Sequence, residues 1–174
     1  MALGTTWRRS IAWVDRLPAS VVIAVATVGP VGRKLPAPGT WGTLVGVGLV
    51  AAAQPYLTWA TAALAEAGLL YLAVAFCDGA ERQLRQRDPG CIILDEVAAT
   101  PLCFMGAFDA AAQKDWPFWA VLLAGFLLFR IFDILKPLGI RRLQDCPGGL
   151  GVVVDDVAAA LASCAVLNVL VRLG

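Results

Sequence analysis

Two adjacent pairs of acids stand directly behind aliphatic triplets: Asp95-Glu96 after Ile92-Ile93-Leu94, and Asp155-Asp156 after Val152-Val153-Val154. Carboxylates among apolar residues are costly to desolvate unless a cation shares the site. Taken singly, either pair could simply mark a helix N-terminus, where acids gain ~0.3–1 kcal/mol from the dipole. Asp133 and Asp88 bring the set to six, in a chain with no histidine. Six carboxylates without an imidazole partner suit a hard, oxygen-liganded cation, and magnesium is the usual one where phosphate is handled. The missing histidine also removes Ser-His-Asp and Cys-His nucleophiles, His-ligated zinc and phosphohistidine chemistry. The five cysteines (Cys77, Cys91, Cys103, Cys146, Cys164) contain no Cys-x-x-Cys pair and read as small apolar residues or free thiols.

Cations follow the same pattern. Arg130, Asp133 and Lys136 are spaced three apart, which makes them neighbours along one helix. They could form a plain ion-pair ladder, or they could neutralise the oxygens of a phosphoryl group. Pro137 ends the helix there and leaves the Lys136 ammonium at its tip. Glycine-rich segments stand at residues 38–43, with Gly39, Thr40 and Thr43, and at residues 148–151. Such segments can turn main-chain N–H groups toward an anion, or serve only as turns. Neither is a Walker sequence. Cys77 and Arg82 lie one residue too close for a cysteine-phosphatase loop. The stretch Asp78-Gly79-Ala80-Glu81-Arg82 is similar to the opening of the CDP-alcohol phosphatidyltransferase motif, but the acids that should follow Gly90 are wrongly spaced.

These residues must be positioned by a very apolar scaffold. Of 174 residues, 59% are hydrophobic and only 16% charged, and mean hydropathy is +0.75. This excludes disorder, and a net charge of +1 gives no case for nucleic acid as a partner. The apolar runs cover residues 21–28, 44–53, 56–77, 97–108, 116–132 and 157–171, and all read as helices because strand-like alternation is lacking. Residues 56–77, 116–132 and 157–171 approach or reach the ~20 residues of a membrane span. An excursion that turns near Gln54-Pro55 brings the Thr40 loop back beside residues 88–96. A second, turning at residues 109–115, brings Asp95 and Glu96 beside Asp133 and Lys136. The sequence therefore predicts one polar face, with Arg33, Lys34, Arg82, Arg85, Arg87, Arg141 and Arg142 placing it in the cytoplasm. Residues 1–26 read as a retained basic and apolar segment, and 27–174 as a single domain.

Four ordered motifs now carry a resemblance. They are Pro38-Gly39-Thr40-Trp41-Gly42-Thr43-Leu44, Asp88-Pro89 with Ile93-Leu94-Asp95-Glu96, the stretch from Phe129 to Pro137, and Gly148-Gly149-Leu150-Gly151 with Asp155-Asp156. From Thr27 onward the chain resembles the phosphatidylglycerophosphatase A family. The resemblance implies an all-α, magnesium-dependent phosphatase in the bacterial inner membrane. Such an enzyme takes the terminal phosphate from phosphatidylglycerophosphate at the cytoplasmic side. The family's acidic positions match Asp95, Glu96, Asp133, Asp155 and Asp156, and its basic ones Arg130 and Lys136. On this reading Asp95, Glu96, Asp155 and Asp156 hold the metal, Arg130 and Lys136 bind phosphate, and Gly39, Thr40, Thr43 and Asp88 contact the substrate. Ala99 and Ala160 replace glycines usual in the family, and Gly139 replaces a proline. A non-enzymatic cation carrier or channel using the buried acids is the rival from another class.

Overall fold

The structure, a computed structural model, describes residues 11, 13–137 and 148–174. It is all-α, with no strand among the described residues. Eight helices follow in order: α1 (Ala19–Ala26), α2 (Val31–Lys34), α3 (Pro38–Ala53), α4 (Trp59–Leu84), α5 (Leu94–Ala99), α6 (Ala107–Ala112), α7 (Phe118–Leu135) and α8 (Gly149–Leu173). Single 3-10 segments precede α1 (Val14–Arg16) and follow α5 (Thr100–Phe104).

Helix ends are set by local chemistry. Thr58 and Thr61 open α4 with a reciprocal capping box, each hydroxyl accepting the other's main-chain N–H. At the other end of α4, Arg85 turns the chain out in the left-handed region. Lys136 does the same for α7, ahead of Pro137. Among the described residues three helices are long and apolar enough to cross a membrane: α4, α7 and α8. At ~1.5 Å per residue, Trp59 and Asp78 on α4 lie ~28 Å apart, about one hydrocarbon thickness. Tyr56, Trp59 and Trp119 are exposed at the start of α4 and α7, forming an aromatic end. Acids collect at the opposite end.

The central helix is α8, which packs on α4, α5, α6 and α7. Its second half joins a core of Leu102, Phe104, Val121, Phe129, Ala160 and Leu167. Its first half, through Val152 and Val153, joins a second core of Val14, Val22, Ala73, Phe76, Ile92 and Leu94. Ala99 and Ala160, where the family usually has glycine, are both fully buried, so a methyl is accommodated at each.

Three expectations are corrected here. The run 97–108 is not one helix, because Pro101 tightens the chain into a 3-10 segment and Gly106, at φ 73°, turns it into α6. Residues 109–112, expected as a turn, are accordingly helical. The glycine-rich segments are not loops either. Pro38 occupies the start of α3, where its fixed φ favours a helix, so Gly39, Thr40 and Thr43 lie on the first turns. Likewise α8 starts at Gly149, so Asp155 and Asp156 stand nearly two turns inside it and N-terminal capping does not account for them. Arg141, Arg142, Cys146, Gly139 and residues 1–10 lie outside the described residues.

Glycine is needed where α3 crosses the 3-10 segment: a Cβ on Gly46 would stand 2.5 Å from that of Thr100, whereas one on Gly48 would meet nothing within 4 Å. Gly46→Val should therefore cost ~1–3 kcal/mol through overpacking. Gly48→Ala should be neutral or gain up to ~1 kcal/mol of helix propensity. Thermal unfolding of both variants in detergent checks the contrast.

Candidate functional site

α5 is short, and its position is fixed from below: Ile93 donates its N–H to the carbonyl of Ala26 at 3.0 Å, tying the start of α5 to the end of α1. Its first turn carries Asp95 and Glu96, and Asp95 Oδ1 accepts the N–H of Glu96 at 3.1 Å. Across from them α8 presents Asp156. One oxygen from each of Asp95, Glu96 and Asp156 can be chosen so that all three lie within 4.8 Å of one another. Asp95 and Asp156 are only 5% and 4% exposed. Glu96 Oε2 is buried without a hydrogen-bond partner. Burial, then the neighbouring Glu96, pushes the Asp95 carboxyl well above its ordinary range. Burial, then Asp156, raises Glu96 to about 8. Three crowded oxygen donors, one of them lacking a partner, fit a hard divalent cation and no soft one.

Next to this group lies a strip of charge on α7. Arg130 Nη1 donates to Asp133 Oδ2 at 2.8 Å, and Lys136 Nζ stands 3.8 Å from Asp133 Oδ1. The ladder read from the spacing therefore exists, but it also bridges helices. Arg130 Nη1 reaches Thr43 Oγ1 of α3 at 3.4 Å, and Lys136 pairs with Asp155 of α8. Arg130 Nε is buried and has no partner. Burial alone would lower the Lys136 pKa, but its hydrogen bond to Asp155 and the charges of Asp155, Asp156 and Asp133 raise it instead. The ammonium is thus held charged.

α3 closes the third side. Thr43 is fully buried and donates its hydroxyl to the Gly39 carbonyl at 2.9 Å. A Cβ on Gly39 would run into Glu96 Oε1 and stand 3.2 Å from Arg130 Nη1. Glycine here leaves room for the Glu96 carboxylate and the Arg130 guanidinium where they stand. Thr40 is half-buried on the same turn. Asp88 stands at the rim, largely exposed, and its carboxyl pKa is raised by partial desolvation on the protein side and then by the charge of Asp155.

The structure thus brings together Gly39, Thr43, Asp95, Glu96, Arg130, Asp133, Lys136, Asp155 and Asp156, from four helices. It sorts the acids differently from the sequence reading: Asp155 faces Lys136, while Asp95, Glu96 and Asp156 form the three-carboxylate group. Asp78 and Glu81, without a role in the sequence reading, also make structural contacts at this end. Asp78 pairs with Arg82, which also binds Asp15 at 2.6 Å, and Asp78 Oδ1 accepts the Gly149 N–H at 3.1 Å. It caps α8 from another helix. Glu81, 2% exposed, accepts the Asp88 N–H at 2.6 Å. Their signal was three charges, Asp78, Glu81 and Arg82, within five residues at the end of an apolar run.

The profile of the phosphatidylglycerophosphatase A family matches residues 24–171. This chain belongs to the phosphatidylglycerophosphatase A family. It is a phosphatase. A phosphatidylglycerophosphatase A from Haemophilus influenzae is 35% identical over 127 residues, 72% of this chain and 74% of the relative. One from Escherichia coli K12 is 30% identical over 131 residues, 75% of this chain and 72% of its own. A Bacteroides thetaiotaomicron protein with the provisional name phosphatidylinositol-3-phosphatase is 33% identical over 151 residues, 84% and 91% of the two chains. No solved structure matches. In this member of the family the four motifs meet at one end of the three long apolar helices.

The raised acids carry a pH signature. Glu96 moves from its ordinary 4.5 to about 8 in the folded protein, and Asp95 moves the same way. A raised carboxyl favours the folded state while protonated, so that contribution is present below the unfolded pKa and fades as pH rises through the folded one. In EDTA the melting temperature in detergent should therefore fall between about pH 5 and pH 8. A divalent cation held by the three carboxylates should cancel the fall, because it replaces the protons. Parallel melting curves with EDTA and with magnesium check this.

Proposed function

We propose that this chain hydrolyses the phosphomonoester of phosphatidylglycerophosphate to phosphatidylglycerol and phosphate, with magnesium as cofactor, at the cytoplasmic face of the bacterial inner membrane. The observation that carries the reading is the juxtaposition of three crowded carboxylates, two of them on buried residues, with a cation pair, one of whose N–H groups, Arg130 Nε, lacks a partner.

Asp95, Glu96 and Asp156 would hold the metal. When bound, magnesium supplies charge neutralisation at phosphate oxygens and lowers the pKa of a coordinated water. Arg130 offers its free Nε–H to a non-bridging oxygen while Asp133 and Thr43 keep the guanidinium fixed. Lys136 is held charged at the helix tip by Asp155 and can shift part of that bond to an incoming phosphate. Lys136 at φ 43° and Asp155 nearly two turns into α8 are thereby set before substrate arrives. The apolar outer surfaces of α4, α7 and α8 suit a substrate whose acyl chains stay in lipid.

A cation path fits less well. Among the described residues the acids of α4, α7 and α8 stand at the end nearest Arg130 and Lys136, with Glu66 alone in mid-span, so they form no file across the membrane. The relatives' names divide between a phosphatidylglycerophosphate and a phosphatidylinositol phosphate substrate, both lipid phosphomonoesters.

Purified protein should release phosphate from phosphatidylglycerophosphate with magnesium, stop in EDTA, and act more slowly on phosphatidylinositol 3-phosphate. Faster release from the inositol lipid would reassign the substrate. Asp95→Asn should abolish turnover with the fold intact. Lys136→Met should lose on the order of 100-fold, as removal of a charge stabiliser does. A surface ion pair would lose almost nothing. Lys136→Met at half the wild-type rate would return the lysine to an ordinary helix-end charge.

The site end also carries exposed Arg33, Lys34, Arg85 and Arg87, and by the positive-inside rule this charge supports the cytoplasmic orientation proposed. Single cysteines at positions 40, 88 and 133 in a cysteine-free background should therefore be labelled from the cytoplasm. Labelling of position 133 from the periplasm alone would reverse the topology.

A further inference from the structure

The segment between α4 and α5 makes two left-handed turns without glycine, at Arg85 (φ 53°) and Asp88 (φ 44°). Arg85 is a helix end, where this conformation is common. Asp88 is different. It precedes Pro89, and a residue before proline is ordinarily pushed to extended backbone. A side chain in the left-handed region ahead of a proline persists only where its surroundings over-determine it. The contact that does so here comes from below. The Asp88 N–H points into the protein and donates to Glu81 Oε1 at 2.6 Å. Glu81 lies on the last full turn of α4 and is among the largest fully buried side chains of the chain. The turn leaves the Asp88 carboxyl at the rim of the site, near enough that Asp155 and Asp133 oppose its charge and Lys136 favours it.

We infer that Glu81 is a positioning residue for this site: its buried carboxylate fixes the Asp88 main chain in the left-handed turn that keeps the Asp88 side chain at the rim of the site. This rests on the phosphatase reading only for its activity arm. Without the Glu81 acceptor the backbone at Asp88 relaxes toward the extended form that Pro89 favours, and the carboxylate leaves the rim. What Glu81 must supply is an acceptor oxygen at Oε1, which glutamine also has and leucine lacks.

The test has two readouts. The first is trypsin cleavage of the intact protein in nanodiscs after the exposed Arg85 and Arg87, which needs no activity. Glu81→Leu should be cut there at least ~10-fold faster than wild type, because an opened segment is cleaved in proportion to its population. Glu81→Gln should be cut at the wild-type rate. The second is turnover of phosphatidylglycerophosphate with magnesium. Glu81→Leu should lose ~10-fold or more, as misplacement of a group at a site does. It should divide the loss between kcat and KM as Asp88→Asn does, and should add less than about twofold in an Asp88→Asn background. Glu81→Gln should restore the rate. Additive losses in the double variant, or Glu81→Gln as impaired as Glu81→Leu, would make Glu81 merely structural and overturn the inference. Unchanged trypsin cleavage in Glu81→Leu overturns it whether or not the wild type is active. Wild-type protein that releases no phosphate counts against the proposed function alone. Should Glu81→Leu not fold, Glu81→Ser, which also shortens the reach to Asp88, carries both readouts with the same outcomes.

Discussion

Everything at the acidic end of this protein answers to one electrostatic demand: three carboxylates from two helices are gathered within 4.8 Å in a place water hardly reaches. Left alone they would repel one another and refuse to ionise. The chain compensates from outside the group. Arg130 and Lys136 supply positive charge from α7, and Asp133 and Asp155 hold those cations in place rather than joining the cluster. The acids therefore divide into those that crowd together and those that orient cations. That division turns a costly arrangement into a receptive one.

Such crowding requires helices to come closer than ordinary side chains permit. Gly39 and Gly42 let α3 lie directly on Glu96, and Gly149 lets the start of α8 lie on the backbone of α4 beside Asp78. The same closeness recurs away from the site, where Gly125 of α7 accepts the ring of Phe104. Helix packing by small residues suits an apolar setting, in which dispersion and not water exclusion draws helices together. The glycines that suggested phosphate-binding loops act here as spacers between helices.

Much of this was legible in the chain. The all-α class followed from composition, and the meeting of Thr43, Glu96, Arg130 and Asp156 followed from helical excursions that must return to the side they left. The pairing of Arg130, Asp133 and Lys136 followed from their spacing. What escaped has a common cause. Pro101 and Gly106 interrupt an apolar run that hydropathy alone shows as continuous. Asp155 and Asp156 look like a helix start because acids favour first turns, yet Val152 to Val154 are already helical, and Val152 and Val153 share a core with α4 and α5. Asp78 and Glu81 were weighed only as parts of someone else's motif. Apart from the Asp78–Arg82 pair, their partners are main-chain N–H groups, of Gly149 and Asp88, and main-chain partners leave no trace in residue types. Side chain to side chain chemistry could be read from sequence, and side chain to backbone chemistry could not.

The distance along α4 from Trp59 to Asp78 has a kinetic meaning. With the aromatic end at one lipid boundary, a separation of ~28 Å sets the acids at the depth of the opposite headgroups, neither in the oil nor out in the water. A phospholipid can then meet Arg130 and Lys136 by sliding sideways within its own leaflet, never extracting its tails. Encounter becomes a two-dimensional search. The quantity that governs its rate is the fraction of leaflet area occupied by substrate, so diluting the membrane with inert lipid should slow the enzyme while diluting the buffer leaves it unchanged.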